Sequence, residues 1–246
     1  MAEQDPDKAL LNFKALLLDA QVFGVEGFGR RSPAMRDSPP TAPLVDLGAG
    51  APAPSDSGAD SLNRIASEAD ACRNCALGSG RTKCVPGLGN AEPEFVFVGE
   101  APGADEDAQG VPFVGAAGQL LDRMIIAMGL TRDSVFIANV VKCRPPNNRE
   151  PQHDEVAACM PFLSRQLDLL RPKVVIALGA HAARGLLGTA DTVGSLRGRG
   201  HPLPGATCVV TYHPAYLLRA PQEKSKAWED LKFALSLVGR VPPARA

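Results

Sequence analysis

The stretch Glu94–Gly99, EFVFVG, is an apolar run of strand length that stops at a glycine. Three more runs of the same kind follow it: Ser134–Val141 (SVFIANVV), Lys173–Gly179 (KVVIALG) and Ala206–Tyr212 (ATCVVTY). None keeps a strict alternation of apolar and polar residues, so each is predicted as a strand buried on both faces. Between and after them the chain has helical spacing at about 114–129, 151–170, 180–188 and 222–238. Strands alternating with helices imply an α/β fold, here a four-stranded parallel sheet sandwiched by helices. In such open sheets ligands bind beyond the carboxyl ends of the strands, so the residues just after each run are the informative ones.

Outward from this core, residues 6–23 (PDKALLNFKALLLDAQVF) carry apolar residues at helical spacing behind Asp5 as N-cap, which predicts an amphipathic helix within residues 1–28. From 29 to 58 the composition shifts to Pro, Ala, Gly, Ser and Asp, as in a flexible, disordered linker. The folded domain is expected over 59–240, with 241–246 as a tail. A chain of 246 residues with 45% apolar content can bury a core of that size. No apolar run approaches the roughly 18 residues of a membrane span, and Met1–Asp5 lacks the start of a signal peptide. A cytoplasmic protein is the expectation.

The formal net charge of −1 excludes a generally basic nucleic-acid coat, but the charge is uneven. Residues 1–58 hold five Lys/Arg against eight Asp/Glu, while residues 139–220 hold ten against five. Such a bias suits one face that touches phosphates, and equally a solvated basic surface.

The loops carry the chemistry. The first strand runs into Glu100-Ala101-Pro102-Gly103-Ala104-Asp105-Glu106-Asp107, then GVPFVGAAG over Gly110–Gly118. These glycines admit close backbone approach and Phe113 offers an aromatic face, yet neither GxGxxG nor GxxxxGK[ST] is present, which sets a nucleotide-phosphate cradle aside. Asn139, near the end of the second strand, can satisfy a loop backbone, or present donor and acceptor together to a pyrimidine edge. The fourth strand leads to His213-Pro214-Ala215-Tyr216-Leu217-Leu218-Arg219: a histidine, two leucines able to act as an intercalating wedge, and an arginine suited to phosphate.

Six cysteines in a chain without an export signal read as thiols or metal ligands rather than disulfides. Cys72-Arg73-Asn74-Cys75 is a CxxC, and Cys143 and Cys159 complete a 2+1+1 pattern. Thiolates suit zinc and iron-sulfur clusters alike, so spacing implies a metal site without its identity.

GEAPGADED with GVPFVGAAGQLL, then NVVKCRPPNNR, then HPAYLLR, in this order and spacing, resemble the family 4 uracil-DNA glycosylases, over about Leu62–Val238. The resemblance implies the uracil-DNA glycosylase fold and base-excision repair: a base flipped out of single- or double-stranded DNA and uracil removed by hydrolysis of its N-glycosidic bond. It implies a [4Fe-4S] cluster on Cys72, Cys75, Cys143 and Cys159, and leaves Cys84 and Cys208 outside the ligand set. Phe113 would stack on uracil, Asn139 would bond its Watson-Crick edge, His213 would donate to O2, and the backbone of Glu100 and Ala101 would complete the pocket. Another family of single-domain uracil glycosylases has a water-activating Asp where this chain has Ala101. Glu106, or Glu100, is then left to orient His213, water or the cation. Leu217, Leu218, Arg219, Arg144 and Arg197 are placed against DNA. One relative carries a basic loop with a histidine that bonds covalently to deoxyribose; Arg144–Pro151 lacks that insert, so turnover is expected. A monomer is expected, with the N-terminal helix free to recruit a protein partner. The alternatives are a glycosylase for a wider range of deaminated bases, such as hypoxanthine or xanthine, and a non-catalytic DNA-binding module.

Overall fold

The computed structural model describes residues 60–244. The N-terminal helix, the linker and the last two residues expected from sequence lie outside the described residues. Four strands occupy the four apolar runs: β2 (Phe95–Gly99), β3 (Phe136–Asn139), β4 (Val174–Leu178) and β6 (Ala206–Thr211). They are mutually parallel in the order β3-β2-β4-β6. Two short strands extend this sheet. β1 (Leu88–Gly89) pairs antiparallel with β3, and β5 (Gly200–Leu203) pairs antiparallel with β6. The sheet is therefore six-stranded and mixed, a correction to the four-stranded parallel expectation. Both additions escape a hydrophobic reading: β1 is two exposed residues, and β5 (GHPL) contains Pro202, which an edge strand tolerates and a central one does not.

Alternate residues of the central strands feed two cores. Val96, Val98, Ala138, Val175, Ala177, Cys208 and Val210 face one side; Phe95, Phe97, Ile137, Val174, Ile176, Leu178 and Val209 face the other. The first core is closed by α1 (Leu62–Ala71), α5 (His153–Leu170) and α6 (Ala180–Leu187) through Ile65, Leu163, Ala182 and Ala183. The second is closed by α4 (Ala116–Ala127) and α9 (Lys224–Ser236) through Leu120, Leu121, Ile125, Leu231 and Leu235. Four further helices are too short for a periodic signal: α2 (Leu77–Gly80), α3 (Ala104–Gln109), α7 (Val193–Leu196) and α8 (Pro214–Arg219). Among the described residues no helix is long and apolar enough to cross a membrane.

The start of α1 is set by Ser61, whose hydroxyl accepts from Arg64 N at 3.2 Å. Arg165 on α5 then ties that end down, 2.8 Å from Asp60 and paired also with Glu68. At the other end of the sheet Asp230, fully buried on α9, accepts from Thr211 Oγ1 at 2.8 Å, Arg197 Nε at 3.1 Å and Gly198 N at 3.1 Å. With these anchors both helical layers are fixed against the sheet, and the strand ends point into one opening.

Candidate active site

The carboxyl ends of β2, β3, β4 and β6 open into a cavity of about 550 Å³, whose walls include Ala101, Phe113, Asn139 and His213. Four chain segments far apart in sequence are brought together there by the parallel sheet.

Phe113 sits in an unusual backbone state, φ +53°, which costs a non-glycine residue on the order of 1–3 kcal/mol and persists only where neighbours enforce it. Two clamps do so. Glu106, in the first turn of α3, accepts through one carboxylate oxygen from Val114 N and Gly115 N at 2.9 and 3.0 Å, and through the other from Gly103 N at 3.0 Å. Arg132 donates to Phe113 O at 3.2 Å and to Pro112 O, and pairs with Asp122 at 2.6 Å. Gly118 lets α4 start against this loop, since a Cβ there would lie 1.9 Å from Phe113 O.

Asn139 ends β3 with 1% of its surface exposed, and its Oδ1 is buried with no hydrogen-bond partner. An orphaned amide oxygen costs about 1–3 kcal/mol while no donor reaches it. Gly99, the register partner of Asn139, makes the space: a Cβ on it would stand 2.4 Å from Asn139 Oδ1 and 2.6 Å from the Phe113 ring. From beneath, Lys142 donates through Nζ to Asn139 O at 2.8 Å and to Gln166 Oε1 at 2.7 Å, while Gln166 donates to Pro86 O at 2.7 Å. Burial pushes the Lys142 amine down to about 8, opposed by the nearby Cys159 and Cys84.

His213 is the N-cap of α8 and accepts from Ala215 N through Nδ1 at 3.1 Å. With Nδ1 an acceptor, the neutral ring carries its proton on Nε2 and is a donor there. Burial pushes its pKa down to about 4, Arg219 adds to this, and Glu106 opposes it. The imidazole is therefore uncharged at neutral pH. Its ring centroid lies 5.7 Å from that of Phe113, tilted by 33°.

Glu100 and Glu106 occupy different situations. Both border the cavity, but Glu106 is committed to three backbone amides and reaches His213 only through its field. The Glu100 carboxyl is raised above the usual carboxylate range by burial, with His181 pulling the other way and Glu150 adding to the rise. His181 itself was not singled out in the sequence, although it stands three residues beyond β4, where the strand-end rule directs attention. Its Nε2 is 3.1 Å from Glu150 and 3.9 Å from Glu100.

Among the residues assigned to DNA, two need correction. Leu217 is 1% exposed and belongs to the second core, so it is no wedge; the adjacent Leu218, a helical step round, is 42% exposed. Arg197 is held by the buried Asp230 and by Lys226 O, and lies over the Tyr212 ring, which makes it a structural cation. Arg219 is exposed at the cavity wall, and Tyr216 beside it is 39% exposed. Arg144 donates to Asn148 Oδ1 at 2.8 Å, within a loop where Asn147 and Asn148 both take left-handed conformations that asparagine tolerates.

On the far side of β3, Cys72, Cys75, Cys143 and Cys159 line a single void with Lys142, Gly78 and Phe162. Donors already point at the sulfurs: Arg81 to Cys143 Sγ at 2.8 Å, Lys142 N to Cys159 Sγ at 3.2 Å and Asn74 N to Cys72 Sγ at 3.5 Å. Gly78 keeps the CxxC turn close, because a Cβ there would meet Cys72 O at 2.8 Å. Among the described residues no three His, Cys, Asp or Glu side chains gather tightly enough for one metal ion. Cys84 and Cys208 are buried thiols pushed up to about 12 by that burial, and neither lines the void.

An aromatic ring, a buried unpartnered amide oxygen and a neutral imidazole thus meet in one cavity at the carboxyl end of the parallel strands. The chain belongs to the uracil DNA glycosylase superfamily, whose family model matches residues 86–232. Within it the similarity is to the type-4 branch. The type-4 uracil-DNA glycosylase of Archaeoglobus fulgidus is 43% identical over 192 residues, 75% of this chain and 96% of that protein. That of Thermotoga maritima is 43% identical over 68% of this chain and 89% of its own length. A type-5 uracil-DNA glycosylase of Pyrobaculum aerophilum is more distant, at 33% over 54% of this chain and 66% of its own.

Proposed function

We propose that this chain removes uracil from DNA by hydrolysing its N-glycosidic bond, leaving an abasic site. The observation that carries the reading is the unpartnered Asn139 Oδ1, buried beside Phe113 and a neutral His213. Uracil offers N3–H to an amide oxygen and O4 to an amide N–H, so Asn139 reads its edge. Phe113 stacks on the ring. As the C1′–N1 bond breaks, its electrons leave with uracil and charge grows on O2, where the His213 Nε2–H donates. A neutral donor placed in a water-poor pocket stabilises that anion without the cost of burying a cation. The base must first leave the stack, at a cost of a few kcal/mol that is least in single strands and mismatches. Leu218 fills the gap left behind, and Arg219 and Arg144 lie toward the phosphates.

The four cysteines, gathered around one void, support the [4Fe-4S] cluster that the resemblance implies. Each iron of a cluster takes one thiolate, so the sulfurs stand around a void rather than converging on a point, and buried Arg81 and Lys142 beside them suit an anionic group. When bound, the cluster supplies a structural tie between the α1–α2 segment, the loop after β3 and α5.

The test is base release from defined oligonucleotides carrying uracil, hypoxanthine or thymine. Uracil release by the wild type is expected, with the His213→Ala rate down by roughly 10²–10³ and DNA affinity largely kept. A wild-type-like rate in that variant removes His213 from the mechanism, and preferred release of hypoxanthine replaces uracil as the substrate.

A further inference from the structure

One histidine at the cavity has no part in the chemistry above. His181 lies in the first turn of α6, its Nε2 3.1 Å from Glu150 Oε1 and 3.9 Å from Glu100 Oε2. Three strand-end segments meet at this point: Glu100 follows β2, Glu150 ends the loop after β3, and His181 follows β4. The opening of α6 is held close to the catalytic wall by Gly179, φ +90°, where a Cβ would stand 3.0 Å from His213 Cβ.

Hydrolysis needs a group to take the proton of the attacking water. Residue 101 is alanine, and Glu106 spends its oxygens on Gly103, Val114 and Gly115. Glu100 borders the cavity, and no described residue donates a hydrogen bond to its carboxylate. The 3.9 Å to His181 Nε2 is too long for a direct hydrogen bond and short enough for one water to touch both groups.

We propose that His181, whose Nε2 also stands 3.1 Å from Glu150, is a positioning residue that holds the Glu100 carboxylate across one water as the acceptor of the proton from the attacking water. The step balances: the C1′–N1 bond breaks with its electron pair going to uracil, the water oxygen bonds C1′, and the water proton passes to Glu100. The inference rests on the uracil-excision reading. The charged and titratable groups around the pair are Glu150, Arg184 on the same helix as His181, and His213 across the cavity. His181 counters the burial that raises Glu100, so without it Glu100 binds its proton more tightly.

The experiment is single-turnover uracil release from a single-stranded oligonucleotide by the full chain across pH 5–9, for wild type, His181→Ala, Glu100→Gln and the double variant. His181→Ala is expected to lower the plateau rate by about tenfold or more, to move the acid limb to higher pH, and to leave oligonucleotide affinity within about twofold. In the Glu100→Gln background the same change should cost nothing further, because a residue that acts through another is silent once that other is gone. A His181→Ala profile superimposable on wild type, a loss confined to affinity, or losses that multiply in the double variant would each overturn the proposal. A wild type that releases no uracil overturns the functional reading itself, and the inference with it.

Discussion

Gly99 and Asn139 are paired in register at the ends of β2 and β3, and the specificity of the pocket depends on the side chain that Gly99 lacks. Gly99→Ala would place a methyl 2.4 Å from Asn139 Oδ1 and 2.6 Å from the Phe113 ring, forcing both from position. Displacement of about 1 Å at a reacting centre costs on the order of a hundredfold, and that loss is expected in kcat/KM for uracil release. Thermal unfolding checks that the fold survives; a stable Gly99→Ala enzyme with full activity would remove the amide from base recognition. At this scale the sequence is informative about residue type and nearly silent about duty. Asn139 and His213 stand out as polar residues next to strand ends. Glu106 and Glu100 look equivalent in GEAPGADED, and only their partners separate a loop clamp from a cavity carboxyl.

At the scale of elements, α8 turns HPAYLLR into two faces. Successive residues on a helix point about 100° apart, so Leu217 and Leu218 cannot share a role. Leu217 packs in the second core, and Leu217→Ala is expected to cost about 2–5 kcal/mol of stability, read from denaturant or thermal unfolding. Leu218→Ala is expected to leave stability within about 0.5 kcal/mol and to slow excision from duplex more than from single-stranded DNA. Equal loss on both substrates would mean that Leu218 does not stand in for the flipped base. A six-residue helix carries too little periodicity for its faces to be assigned in advance, and the same shortness concealed β1 and β5. The long apolar runs and the helical patterns around them, by contrast, matched α4, α5, α6 and α9 closely, since burial on both faces leaves a composition that needs no tertiary context.

Across the whole molecule, the cysteine void and the base pocket are two sides of one segment. Asn139 looks into the pocket while Lys142, three residues on, holds the Asn139 carbonyl and lines the void with Cys143 and Cys159. Loss of the proposed cluster should therefore be felt in the pocket as well as in the fold. Cys143→Ala is expected to lose iron and visible absorption together with a lower melting temperature and reduced uracil release. A stable, active and iron-free variant would sink the cluster assignment, and a colourless active wild type would point to zinc or to no metal.

The sequence by itself determined the α/β architecture, where the strands end and the set of cysteines, because each rests on local composition or on short motifs in order. Only the tertiary structure decided which of those residues meet. The orphaned amide of Asn139, the neutral state of His213, the retirement of Leu217 and Arg197 into the body, and the approach of His181 to Glu100 all depend on distances between segments tens of residues apart. Burial and through-space charge set these properties, and neither is written in the spacing of residues along the chain.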